Sequence, residues 1–89
     1  MPIVEIPPRY RGPVNGLTRI EVDAPTIRLC IDDVERQYPG FRELILDKDG
    51  HLRRFVRLFV NGEALDRDAV DTPVAEDDRV RFLAAAAGG

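Results

Sequence analysis

The sequence predicts an α+β domain in which one amphipathic helix lies on one face of a small mixed sheet. Three observations predict it. Apolar residues recur at helical spacing over 27–38, those of 18–22 alternate as in a half-buried strand, and 55–60 has strand propensity throughout. An Asn-Gly pair at 61–62 splits the second half into a hairpin. The chain has 89 residues, enough for one modest core and no more.

The elements follow in order. Ile3-Val4-Glu5-Ile6 is a short strand rich in β-branched residues, stopped by Pro7-Pro8. Residues 9–16 hold two glycines, Pro13 and Asn15, and are expected to form a loop. Thr18, Ile20 and Val22 alternate with Arg19 and Glu21, as in a half-buried strand. Residues 3–22 therefore form a hairpin with a wide connection. Thr26 suits a helix N-cap, since its hydroxyl can accept from an otherwise unpaired amide. Ile27, Cys30, Ile31, Val34 and Tyr38 then make one buried helical stripe, and Pro39-Gly40 ends it.

Residues 41–45 suit a short helical turn, and 46–50 is expected to be a polar turn. Residues 55–60 form the most regular strand. Asn61-Gly62 turns it, because both central residues of a type I′ turn need positive φ. Residues 63–65 return as a short strand, and 66–78 is an acidic loop with room for one helical turn. Residues 79–84 form the last strand. One helix covers one face of such a sheet and leaves the other open. The order β-β-α-β-β-β fits a β-grasp (ubiquitin-like) arrangement of four to five strands. The domain is assigned to residues 1–84 and a flexible tail to 85–89.

Composition excludes several classes. The net charge is −3 and the pI about 5.1, without the basic footprint of a nucleic-acid binder. A single Cys permits no intramolecular disulfide. No apolar run approaches the ~18 residues of a membrane span. The start, MPIVEIPPRY, does not read as a signal peptide, so the expected compartment is the cytoplasm.

Catalytic groups are sparse. Cys30 lies on the buried stripe, where Cys behaves as a small hydrophobe. His51 is the one histidine and has no fixed partner in sequence. Zinc would need several Cys or His ligands. Asp47-Lys48-Asp49-Gly50 evokes a calcium loop but lacks the further ligands and late Glu of an EF-hand. No phosphate-cradling glycine motif occurs. No metal, bound cofactor or stand-alone enzyme is expected.

The C-terminus is different. A terminal Gly-Gly arises by chance in about 1 in 200 chains, but here it closely follows the last strand. Lacking Cβ atoms, Gly88 and Gly89 can thread a narrow channel in extended form, with Ala87 leading in. The Gly89 carboxylate would then sit at the tip of a slender arm. A carboxylate is a poor electrophile until adenylation by ATP gives it a leaving group. A sulfur or amine nucleophile could then attack. The chain thus reads as a carrier whose reactive group is its own end.

The element order, FVRLFVNGE, the helix exit QYPGF and the ending EDDRVRFLAAAAGG resemble the ThiS/MoaD family of ubiquitin-like sulfur carriers across essentially the whole chain. HLRRFVRLFVNGE is similar in particular to the CysO-type carriers of thiocarboxylate-dependent cysteine biosynthesis. The resemblance implies that an E1-like enzyme adenylates Gly89 and converts it to a thiocarboxylate. It also implies a sulfur-accepting partner, either a PLP-dependent cysteine synthase-like enzyme or another sulfur-inserting synthase. Many relatives have proline before the tail where this chain has alanines, which implies a less rigid arm. The alternatives are the small subunit of a molybdopterin synthase, a ubiquitin-like covalent modifier, and a plain binding module in which Gly-Gly is incidental.

The open face should meet the partner. If the helix covers Val56, Leu58, Val60, Val80 and Phe82, strict alternation puts Phe55, Phe59 and Leu83 on the open face. Arg57 and Arg81 frame them, and aromatic residues and Arg commonly anchor interfaces. The alternative is that residues 66–78 or the N-terminus cover this patch. No pattern for self-association is visible, so a monomer is expected.

Overall fold

The computed structural model describes residues 1–85. Five strands form one sheet: β1 (Ile3–Glu5), β2 (Arg19–Glu21), β3 (Val56–Val60), β4 (Glu63–Leu65) and β5 (Arg79–Ala84). Their spatial order is β2-β1-β5-β3-β4. β1 and β5 run parallel at the centre, and the remaining pairs are antiparallel, so the sheet is mixed as expected. The helices are α1 (Ile27–Gln37) and the short α2 (Arg42–Ile45). No helix among the described residues is long and apolar enough to cross a membrane.

α1 forms where its spacing requires. Ile27, Cys30, Ile31 and Val34 are buried at i, i+3, i+4 and i+7. Thr26 is the N-cap: the Leu29 amide donates to its Oγ1 at 3.2 Å. The helix stops at Gln37, and Gly40 takes a φ of +108°, open to glycine without strain. The buried stripe meets Val4, Val56, Leu58, Val80 and Phe82 from the sheet. Phe82 packs edge-on against Phe41, with ring centroids 6.4 Å apart. Full burial of such a side chain contributes roughly 2–3 kcal/mol.

The tight hairpin turn is as expected, with φ of 53° at Asn61 and 85° at Gly62. The Asn61 side chain also binds across the turn. Its Nδ2 donates to Asp78 Oδ1 at 2.9 Å, and its Oδ1 accepts from the Arg79 amide at 3.0 Å. These bonds tie the hairpin to the start of β5.

Two expected loops contribute to the core. Residues 8–10 form a 3-10 turn, and Tyr10 and Val14 of this connection are buried. The expected polar turn at 46–50 is anchored by buried Leu46, which makes a lone β-bridge with Leu52. The single helical turn expected within 66–78 lies at Ala69–Asp71 and buries Val70. Arg28 fixes this turn to α1, with Nε 2.7 Å from Asp71 Oδ1, while its Nη1 donates to the Gly50 carbonyl at 2.6 Å.

Candidate functional site

β5 is flanked on both sides, by β1 and by β3. It therefore leaves the fold as a rigidly held root. Its last described neighbour, Ala85, still donates its amide to the Phe55 carbonyl at 2.7 Å. Ala87, Gly88 and Gly89, the expected threading and reactive residues, lie outside the described residues.

The side chains facing away from α1 follow from register. Arg57 pairs with Leu83, and Phe59 pairs with Arg81. Arg81 also pairs with Glu5, and Glu5 with Arg19. One row across the open face therefore reads Arg19, Glu5, Arg81, Phe59, Ala64. Arg81 Nη2 lies 3.2 Å from Glu5 Oε2. Phe59 and Leu83 are half-buried, while Arg57 and Arg81 are exposed. Phe59, Arg79, Arg81 and Leu83 line one shallow groove of about 500 Å³. A second groove, of about 420 Å³, lies on the other side of β5 between Pro7, Pro8, Arg11, Arg19, Arg81 and Leu83.

Four of the five expected surface residues thus come together: Arg57, Phe59, Arg81 and Leu83. Phe55 lies just before β3, which begins at Val56, and its carbonyl carries the β3–β5 pairing one bond further, to the Ala85 amide. Its ring is 42% exposed, and the Arg9 guanidinium lies over it, 5.9 Å from the centroid. Residues 66–78 do not line either groove, whereas Ile6, Pro7 and Pro8 of the N-terminal segment do. Sequence reasoning missed Arg11 and Arg19 as neighbours of Arg81. The alternation of 18–22 already turned Arg19 away from Ile20. The parallel β1–β5 pairing that brings Arg19 within two strands of Arg81 has no local signature.

The other chemically capable groups are accounted for structurally. Burial, with Asp33 nearby, pushes the Cys30 thiol up to about 11, so it is protonated and unreactive at neutral pH. Ligand atoms of Asp47, Asp49 and His51 lie within 4.8 Å of one another. Asp47 Oδ1 accepts from the amides of Asp49 and His51 at 2.9 and 3.0 Å, which makes this an Asx-type turn. Those amide bonds, with the His51 bond foremost, hold the Asp47 carboxyl below its usual range.

Comparison with known proteins agrees with this fold. The ThiS family profile matches residues 13–89. The sulfur carrier protein CysO of Mycobacterium tuberculosis is 34% identical, covering 97% of this chain and 96% of that protein. A chain of the Amycolatopsis orientalis BexX/CysO complex superposes with a TM-score of 0.89 at 30% identity, covering both chains completely. The crystal structure of M. tuberculosis CysO gives 0.88 at 30% identity, covering 97% of this chain and 100% of that one. SAMP1 from Haloferax volcanii shares the fold, with a TM-score of 0.76 at 20% identity over 99% and 98% of the two chains. With its β-grasp sheet and a Gly-Gly end just beyond the central strand, the chain belongs to the ThiS family.

Proposed function

We propose that this protein is a sulfur carrier whose reactive group is the Gly89 carboxylate. An E1-like partner binds ATP. The carboxylate attacks the α-phosphorus, and pyrophosphate leaves. A sulfur nucleophile then displaces AMP from the acyl-adenylate, leaving a thiocarboxylate. The carrier itself holds no cofactor. The thiocarboxylate passes its sulfur to a biosynthetic enzyme, and the CysO-like sequence favours one that makes cysteine, such as a PLP-dependent synthase. A thiocarboxylate and the free Cys30 suit a reducing compartment, so we place the protein in the cytoplasm.

The observation that carries this reading is the Gly-Gly end, four residues beyond a strand held on both sides, in a chain matched end to end by CysO. A rooted strand aims the arm, and two glycines let its tip enter a channel too narrow for side chains. In this reading Phe59, Leu83, Arg57 and Arg81 form the docking patch beside that root, with Phe55 at its margin.

The test is intact mass after incubation with ATP, a sulfide source and an E1-like enzyme from the same genome. A gain of one oxygen-to-sulfur exchange is expected, and none after deletion of Gly89. Conjugates on a denaturing gel would instead identify a covalent modifier, and stable co-purification with a large catalytic subunit a molybdopterin synthase. Phe59→Ala is expected to slow thiocarboxylation. An unchanged rate would remove Phe59 from the docking patch.

A further inference from the structure

The second groove, between β5 and the 7–11 turn, is not needed for the arm chemistry, yet it is the more highly charged of the two. Arg11, Arg19 and Arg81 all line it, with Glu5 as the one acid. Two of these guanidiniums are engaged: Arg81 with Glu5 at 3.2 Å, and Arg11 Nε with the Ile6 carbonyl at 2.9 Å. The Arg19 guanidinium makes no hydrogen bond or ion pair among the described residues. Arg57 and Arg79 add two more positive charges to the open face, where Glu5 and Glu21 are the acids on the strands. This basic face belongs to a chain whose net charge is −3. The positive charge is therefore sorted to the side that carries Phe59 and Leu83.

The geometry points to a carboxylate-binding subsite in the Arg11–Arg19–Arg81 groove, which takes an acidic segment of the partner protein. Arg19 and Arg81 are two strand spacings apart, roughly 10 Å. A polyproline II segment, with three residues per turn, places acidic side chains three residues apart on one side and about 9 Å from each other. An apolar side chain between those acids meets Leu83 and Pro8 on the groove wall. Guanidinium groups bind carboxylates in planar, two-pronged fashion, which gives orientation as well as attraction. The Glu5 carboxylate holds Arg81 in the free protein and yields it to the incoming acid. Overall negative charge disfavours a nucleic acid as the occupant, because the rest of the molecule repels a polyanion. The inference rests on the carrier reading only in naming the occupant as part of an activating or sulfur-accepting enzyme.

The experiment is an amide NMR titration of the full chain with the blocked peptide acetyl-Glu-Leu-Ala-Glu-amide. The controls are its Gln-for-Glu analogue, inorganic phosphate and a thymidine dodecamer, at matched ionic strength. Saturable shifts are expected at Arg11, Arg19, Arg81 and Leu83 with the acidic peptide, weakening several-fold as salt rises from about 0.05 to 0.5 M. Arg19→Glu should weaken binding at least ten-fold. Lys48→Glu, the same charge change on the distant 46–50 turn, should leave it unaltered. Glu5→Gln should tighten it. Equal binding of the Gln analogue, stronger binding of phosphate or the oligonucleotide, shifts elsewhere, or no shifts would each overturn the proposal. Intact-mass measurement of wild type against the Gly89 deletion reads the carrier chemistry separately, so either inference can fail alone.

Discussion

Glu35→Ala removes a side chain that organises the exit from α1. The Glu35 carboxylate accepts from the Gly40 amide at 3.1–3.2 Å, shared between both oxygens, and from the Arg42 amide at 2.8 Å. These bonds fold residues 38–42 back so that Phe41 enters the core, fully buried against Phe82. A hydrogen bond to a charged group contributes about 1.5–3 kcal/mol where it is shielded from water. Both amides are only partly buried, so water recovers part of that loss in the variant. The expected cost is about 2 kcal/mol, which lowers Tm by roughly 8–16 °C for a domain of this size. Urea unfolding followed by circular dichroism at pH 7 measures it, with the m-value unchanged. Glu35→Gln keeps one acceptor oxygen and should lose about half as much. A loss below about 0.5 kcal/mol for the alanine variant, the usual range for a neutral surface change, would refute the argument that Glu35 fixes the exit.

Three further outcomes are expected. Asn61→Ala loses the bonds to Asp78 and Arg79 and strains a φ of 53°, so it should cost about 1–2 kcal/mol. Asn61→Gly keeps the turn and should cost less in the same urea assay; the reverse order would sink this account. Cys30 should resist a thiol reagent at pH 8 in the folded protein and react once unfolded; rapid native labelling would contradict its burial. Stability should fall steeply below about pH 4. The Asp71 carboxyl is held low by Arg28, and the Asp78 carboxyl by the Ala75 amide and Asn61. Burial pushes Asp33 up, but the Asp23 amide and Arg36 outweigh it and leave it low as well. Folded values below the unfolded value mean that this stability is present above the unfolded value and is lost as pH falls through the folded ones. Asp78→Asn should flatten the acid limb of a pH–Tm curve; an unchanged slope would show that Asp78 contributes nothing to it.

Local patterns carried most of the fold. Thr26 and the 27, 30, 31, 34 stripe defined α1, because helix capping and amphipathicity are set within a few residues. Asn61-Gly62 defined the hairpin, because positive φ is a property of those two residues. Alternation assigned Arg57, Phe59, Arg81 and Leu83 to one face. Phe55 lies one residue before β3, exposed, with the Arg9 guanidinium over its ring. The core roles of Tyr10, Val14, Leu46 and Leu52 were hidden, since isolated apolar residues among turn formers have no period to reveal them.

By itself, the sequence determined the parts: a Gly-Gly ending, one main helix, a short helical turn after it and two hairpins. Those properties are local or compositional. The tertiary structure alone decided which parts are neighbours. The parallel β1–β5 pairing joins residues more than seventy positions apart, places Glu5 beside Arg81, and sets Arg19 and Arg11 around one groove. Such pairing is selected by burial of the whole sheet under α1, a balance summed over the core, and no short stretch of sequence records it.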